Sequence, residues 1–171
     1  MHSARIATWS TELADELTAA GLHVRPSHVI HRVAVLLHEE PLEHVEVSVR
    51  DALHQLDGTI AVLTTSLFAV VDLAGVKPAM HDHNPAGDVR VTVVPRRTLK
   101  RLEIPEADGD ANYNGGWVAD AAGMRTWPPY GQIRLIYPDL PVVVLGGANN
   151  PDRPNRLDQL VPRLMRDLAG A

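Results

Sequence analysis

Two histidines separated by one residue, His81 and His83, are the best candidates for metal ligands in the sequence. In an extended segment, alternate side chains point to the same side, so both imidazoles could face one ion. Imidazole nitrogen suits zinc or copper, and a third ligand would have to come from elsewhere, such as Asp88. Because no ligand motif such as H-E-x-x-H accompanies the pair, we expect a polar loop and assign no metal or other cofactor.

A second candidate is the basic cluster of Arg96, Arg97, Lys100 and Arg101, which directly follows Pro95. Such a cluster could bind a phosphate, acidic lipid headgroups or an acidic protein surface. Charged side chains also protect exposed strand edges from association, which is the alternative role. We retain the four residues as candidate binding residues, and a membrane surface is the weaker of their partners.

Two large aromatic residues, Trp127 and Tyr130, flank a pair of prolines. Exposed rings held by stiff prolines would be ready to contact a partner. Folded back, Trp127 would instead cover a core that is otherwise poor in aromatics, and both alternatives stay open. No nucleophile elbow, no Ser-His-Asp arrangement and no paired carboxylates accompany these candidates, so nothing in the sequence indicates catalysis.

The composition limits the compartment and the partners. The 171 residues suit one domain, or one domain with an extension, and they contain no cysteine, which excludes disulfides and thiolate metal sites. No apolar run approaches the ~20 residues of a membrane span, and the first residues lack the layout of a secretory signal. The formal net charge of −5 argues against nucleic acid. We expect a soluble, cytoplasmic protein.

The first forty residues have the periodicity of helices. Ser10 or Thr11 would begin a first helix, and Gly21 would end it. Pro26 and Ser27 would open a second helix with apolar residues around most of its circumference, which predicts that it is buried. These apolar residues are Val29, Ile30, Val33, Ala34, Leu36 and Leu37.

The same two helices are similar to the start of arginine-repressor-type winged helices, in which a Gly-x-x-Val turn links two helices. That resemblance implies that a groove-reading face is formed by Ser27, His28, His31 and Arg32. Because the second helix is apolar and this half of the chain is acidic, a DNA-binding regulator with a β-region for dimerisation is only our alternative.

After residue 43 the period changes from that of a helix to that of a strand. Residues 44–50 alternate cleanly, and residues 58–73 predict a hairpin that turns at Thr64, Thr65 and Ser66. Short links between the strands favour antiparallel pairing. Further strands are predicted over residues 89–94, 99–104, 117–121, 133–137 and 142–145. An amphipathic helix over residues 157–168 follows, in which Pro162 predicts a kink or a late start.

This order of elements resembles the pleckstrin-homology-like (PH-like) fold, and within it the bacterial PH-like domains. The resemblance is carried by residues 45–50, 58–64 and 68–71, by Val93-Val94-Pro95 leading to Leu99 and Leu102, and by the closing helix. It implies that this helix closes one end of a bent sheet. The family has no shared active site, so the resemblance implies a binding or scaffold role.

We therefore expect an α+β protein with a helical extension over residues 1–41 and a PH-like domain over residues 42–171. The domain would contain a mostly antiparallel bent sheet, or partly open barrel, of seven to eight strands, capped by the C-terminal helix. The expected function is that of a non-enzymatic interaction module. Sheet edges and the long loops over residues 74–88 and 105–116 would bind another protein or a second copy of the chain.

Overall fold

A computed structural model gives the fold, and it describes residues 2–24, 26–52, 55–77, 87–104, 132–146 and 157–170. Two helices come first, α1 (His2–Ala19) and α2 (Ser27–Leu37). Four strands follow, which are β1 (Leu42–Ala52), β2 (Gln55–Thr64), β3 (Leu67–Val76) and β4 (Asp88–Pro95). After a 3₁₀ turn (Arg96–Thr98) come β5 (Arg101–Glu103), β6 (Gln132–Ile136), β7 (Val143–Gly146) and the helix α3 (Leu157–Ala169).

The strands confirm the predicted α+β class. Seven strands lie in the described residues, every pair is antiparallel, and two helices precede them while one follows. They form two sheets, with the orders β1-β2-β3-β4 and β5-β6-β7, so they do not close into one barrel. The strand predicted over residues 117–121 lies outside the described residues.

The chain divides into two compact units, Met1–Pro95 and Arg96–Ala171. We expected a boundary near residue 42, but α1 and α2 share one core with β1–β4. Helix α1 packs against β1, and α2 packs against α1 and β4. The core is aliphatic apart from Trp9, because one face of every strand supplies β-branched or small side chains to it.

Helix α1 begins earlier than predicted. Ser10 and Thr11 lie inside it, so neither is its N-cap. The hydroxyl of Thr11 donates to the carbonyl oxygen of Ala7 at 3.1 Å, and Thr8 and Thr18 make the same i−4 bond. The predicted end is confirmed: Gly21 has φ 100°, and the Leu22 N–H reaches the Leu17 carbonyl at 2.9 Å in a Schellman motif.

The predicted hairpin is confirmed, and a distant carboxylate holds its turn. The Oε2 atom of Glu40 accepts hydrogen bonds from the Thr64 hydroxyl at 2.6 Å and from the Ser66 N–H at 2.8 Å. The Ser66 hydroxyl donates to Oε1 of the same residue. The Glu40 main-chain oxygen accepts a bond from the indole Nε1 of Trp9 at 2.9 Å. One residue between α2 and β1 therefore fixes both α1 and the β2–β3 turn.

Most of the buried apolar side chains described in the second unit come from β6, β7 and α3. Ile133 and Leu135 of β6, Leu145 of β7 and four residues of α3 are buried: Leu157, Leu160, Val161 and Leu164. Helix α3 is described from Leu157, and Pro162 lies inside it at an exposed position. Within the described parts of the chain, no helix has the length and apolar character needed to cross a membrane.

Replacing Glu40 with glutamine should destabilise the protein by about 1–3 kcal/mol at neutral pH, since it removes the negative charge to which Thr64 and Ser66 donate hydrogen bonds. Burial acts to raise the pKa of Glu40, but hydrogen bonds from Ser66 and Thr64 outweigh it, so the pKa lies below its ordinary value. A lowered carboxyl pKa stabilises the fold above the ordinary value, and this contribution disappears as the pH falls through the lowered value.

Urea unfolding of the wild type and of Glu40→Gln, at neutral pH and in acid, measures this contribution. The difference between the two proteins should shrink on acidification. Glu12→Gln, at an exposed position of α1, is the matched control and should change the free energy of unfolding by less than about 0.5 kcal/mol. An equal difference at both pH values would contradict a charged clamp.

Candidate functional site

Within the described residues, the outer edge of β4 is one of the two edges of the first sheet, and the other belongs to β1. Strand β4 pairs with β3 from Asp88 to Pro95 and ends the sheet on this side. No strand in the described residues pairs with the other edge of β4. The main-chain N–H and C=O groups on that edge are a template on which another extended strand can add.

The side chains of β4 are apolar yet incompletely covered. Val89, Val91 and Val93 pack on the core from the face that carries the helices, and all three remain half-buried. Thr92 and Val94 occupy the opposite face and are also half-buried. By contrast, Val71 of the neighbouring strand is fully buried. A partner strand beside β4 would therefore bury apolar surface as well as make main-chain hydrogen bonds.

Helix α2, which packs against β4, exposes two apolar side chains. We expected α2 to be buried around most of its circumference, including Leu36, and this is wrong for part of the helix. Its buried residues are Val29, Ile30, Val33, Ala34 and Leu37. Val35 and Leu36 are 46% and 52% exposed. The apolar edge of β4 and the exposed apolar pair on α2 together are called the α2–β4 surface below.

This surface carries charges of both signs, Arg90 and Asp88 on β4 and Arg32 on α2, in a unit that is acidic as a whole. Residues 1–95 contain six Lys or Arg and twelve Asp or Glu. Arg32 on α2 and Arg90 on β4 are both exposed, and Arg90 stands opposite Asp72 in the sheet. The surface offers main-chain donors and acceptors, apolar contacts and a few charges. This combination can bind another protein chain, and it contains no nucleophile placed beside a base.

The four residues expected to form a DNA-reading face all lie on α2. Ser27, His31 and Arg32 are exposed, whereas His28 is half-buried, and burial followed by the charge of Arg32 lowers the pKa of its imidazole. Arg32 is the single Lys or Arg of the helix, and exposed valine and leucine follow it. Phosphate binding requires clustered Lys and Arg, so this face favours a protein partner over DNA.

The basic cluster is split by the structure. Arg97 and Lys100 are exposed, and Arg101 is exposed with its Nε atom 2.8 Å from Oε1 of Glu103. Arg96 is only 2% exposed and cannot belong to a binding surface. Its Nε and Nη2 atoms lie 3.0 and 2.8 Å from Oδ2 of Asp167 on α3. Arg96 therefore holds the last helix onto the second unit.

A buried tyrosine completes the surroundings of this ion pair. Tyr137 lies just after β6 and is 2% exposed. Burial raises the pKa of its hydroxyl, the charge of Arg96 acts in the opposite direction, and Asp167 raises it further. The phenol therefore stays neutral over the physiological range. The Arg96–Asp167–Tyr137 group is structural.

The second unit also exposes apolar side chains, but on a smaller edge. Val142, just before β7, is 56% exposed, and Val144, within β7, is 39% exposed. Ile104 and Met165 are 55% and 51% exposed. Strand β7 is four residues long, whereas β4 is eight. Since main-chain pairing grows with strand length, β4 offers a longer edge than β7. Strand β1 is longer still, at eleven residues, but its Val45 and Val47 are already buried, whereas the valines of β4 are half-buried.

The metal and aromatic candidates remain untested. His81, His83, Trp127 and Tyr130 lie outside the described residues. Within the part of the chain that the structure describes, no group of three or more His, Asp or Glu side chains could hold a metal ion. No family model, no curated protein and no solved structure matches this chain.

Sequence reasoning missed three features of these surfaces. Glu40 gave no signal, because its partners lie 24 and 26 residues away. Asp167 is 71 residues from Arg96, and no local pattern links the two. Exposure of Val35 could have been found, because a helical wheel places it opposite the buried residues, whereas Leu36 lies beside Val29 and Val33 on the wheel and gave no such signal.

Replacing Arg96 with methionine should destabilise the protein by about 3 kcal/mol, because it leaves the Asp167 carboxylate partly buried without its partner. The double variant Arg96→Met/Asp167→Leu should recover part of this loss, since no charge is then left behind. Thermal and urea unfolding measure both changes. Arg97→Met, at the exposed neighbouring position, is the matched control and should change the stability very little. If Arg96→Met and Arg97→Met destabilised the protein equally, the structural role given to Arg96 would be contradicted.

Proposed function

We propose that this protein is a non-enzymatic interaction module that binds another protein, or a second copy of itself, through the α2–β4 surface. The observation that carries the proposal is the eight-residue strand β4, whose outer edge no described strand covers and whose valines stay half-buried. An added strand would gain main-chain hydrogen bonds along the edge and apolar contacts on the helical side.

The resemblance to PH-like domains supports the same proposal. The resemblance implies about seven antiparallel strands followed by one helix, and the described residues contain seven antiparallel strands and then α3. The PH-like fold is used for many binding roles and has no shared active site, so function depends on the surface that each member presents. We propose that this surface acts in the cytoplasm, in keeping with a chain without cysteine.

A lysine on β4 should block the binding edge. We expect Thr92→Lys to reduce crosslinking of the purified full-length protein to any bound species, its own copy included, because a charge on an edge strand opposes strand addition. Crosslinking is compared in buffer and in host lysate, followed by mass spectrometry of the products. Circular dichroism verifies that the variant is folded.

The matched control is Ser48→Lys, at an exposed position of β1 on the opposite border of the sheet. It adds the same charge and should leave crosslinking unchanged. Equal crosslinking by the wild type and Thr92→Lys, or no crosslinked species in either condition, would contradict the proposed function.

A further inference from the structure

We propose that the partner at the α2–β4 surface is a second copy of this chain, related by a two-fold axis perpendicular to the sheet and passing by Val91. This inference rests on the proposed function and names the occupant of the same surface. The two β4 strands would pair antiparallel and join two four-stranded sheets into one of eight strands. The helices of both copies would then lie on the same face.

The sequence of β4 is self-complementary in this register. With Val91 opposite its own copy, Val89 stands opposite Val93 of the second copy, and Arg90 stands opposite Thr92. Side chains that share a face in one copy face the same way in the other. All valines of the helical side therefore meet valines, and no like charges are directly opposed.

The neighbouring registers are less favourable. Moving the axis to Arg90 would place two arginines directly opposite each other, which is destabilising. Moving it to Thr92 would pair Val89 with Pro95, and proline has no N–H for the ladder. A pairing shifted by one residue would place the valines of the helical side opposite residues of the other face of the sheet. The apolar face would then no longer continue from one copy into the other. The register centred on Val91 is therefore the one that the side chains favour.

The sequence of α2 can also complement itself in an antiparallel arrangement. The axis reverses the direction of α2, so the two copies of the helix run antiparallel to each other. Counting outward from the exposed pair, Val35 then matches Leu36 of the second copy, and Arg32 matches its Glu39. Two apolar pairs would thus be flanked by two pairs of opposite charge.

These charged side chains can take part in such contacts. Arg32 is exposed, and the Glu39 side chain is 60% exposed. Glu39 already lies 3.6 Å from Arg5 and 3.0 Å from Nε2 of His38, so Arg32 of the second copy would join an existing surface network. Exposed ion pairs contribute little energy, but they select one arrangement over others.

The choice of a second copy over an unrelated protein rests on this agreement. An unrelated partner would need no symmetry in either element, whereas an isologous contact needs every element at the axis to complement itself. Both β4 and α2 have such a self-complementary sequence, and the proposal places the two elements about one common axis. The contact is small compared with an obligate dimer, so we expect reversible association that depends on protein concentration.

Charge reversal and mixing test the inference directly. Sedimentation of the purified full-length chain should show a monomer–dimer equilibrium. We expect Arg32→Glu and Glu39→Arg each to raise the dimer Kd by about tenfold or more, because both flanking pairs become repulsive. An equimolar mixture of the two variants should restore association, because each heterodimer again has two pairs of opposite charge. Native mass spectrometry separates the heterodimer from both homodimers by mass.

Two reversals away from the surface serve as controls. Arg50→Glu on β1 and Glu12→Arg on α1 change the same charges at exposed positions and should leave the Kd within about twofold of the wild type. Thermal unfolding of every variant verifies that it is folded. Thr92→Lys should weaken the dimer as well, because it places a charge on the β4 edge.

The outcomes separate the inference from the proposed function. A wild type that stays monomeric with no heterodimer in the mixture overturns the second copy as partner. So does a dimer that charge reversal and Thr92→Lys leave unchanged. In either case, loss on Thr92→Lys of crosslinking to a different protein in lysate would preserve the proposed function, and the absence of any such loss would refute both.

Discussion

The carboxylate of Glu40 is the contact on which the first unit depends. Its oxygens hold the β2–β3 turn through the side chains of Thr64 and Ser66, while its main-chain oxygen holds the Trp9 indole of α1. These contacts fix α1, the link between α2 and β1, and the β2–β3 hairpin relative to one another. A slip of the hairpin by one residue would turn every side chain of the strand to the wrong face, so the turn position determines which residues reach the core. The pairing of β4 with β3 in turn sets the position of β4.

A second carboxylate has the corresponding role in the second unit, but by a different physical means. The carboxylate of Asp167 pairs with the guanidinium of Arg96, a residue that is only 2% exposed. Removing either charge would leave the other one partly buried and without a partner. Glu40 meets neutral donors and stays ionised because hydroxyl and amide N–H groups solvate it. In each unit a single acid joins segments that are distant in sequence. Apolar burial provides the bulk of the stability, and these two acids select one arrangement of the elements.

The sequence predicted the elements well and the long-range contacts poorly. The hairpin at Thr64 to Ser66 was found because two β-branched runs meet at polar residues, and Gly21 was found because a helix end needs a residue that tolerates positive φ. The start of α1 was missed, because the sequence does not distinguish a threonine that caps a helix from one inside a helix whose hydroxyl bonds the carbonyl four residues earlier. The local pattern of charges suggested that Arg96 is a surface residue, and only its contact with Asp167 shows otherwise. Whether the edge of β4 is covered depends on the tertiary structure, which local patterns do not contain.

The 71-residue separation of Arg96 from Asp167 has a consequence for biosynthesis. Both partners of Glu40 have been translated by residue 66, so its contacts can form while the remainder of the polypeptide is still being made. The ribosome must add 71 further residues after Arg96 before its aspartate exists. The amino-terminal unit can therefore assemble cotranslationally, whereas the carboxy-terminal unit can complete its polar centre only after residue 167 has been added.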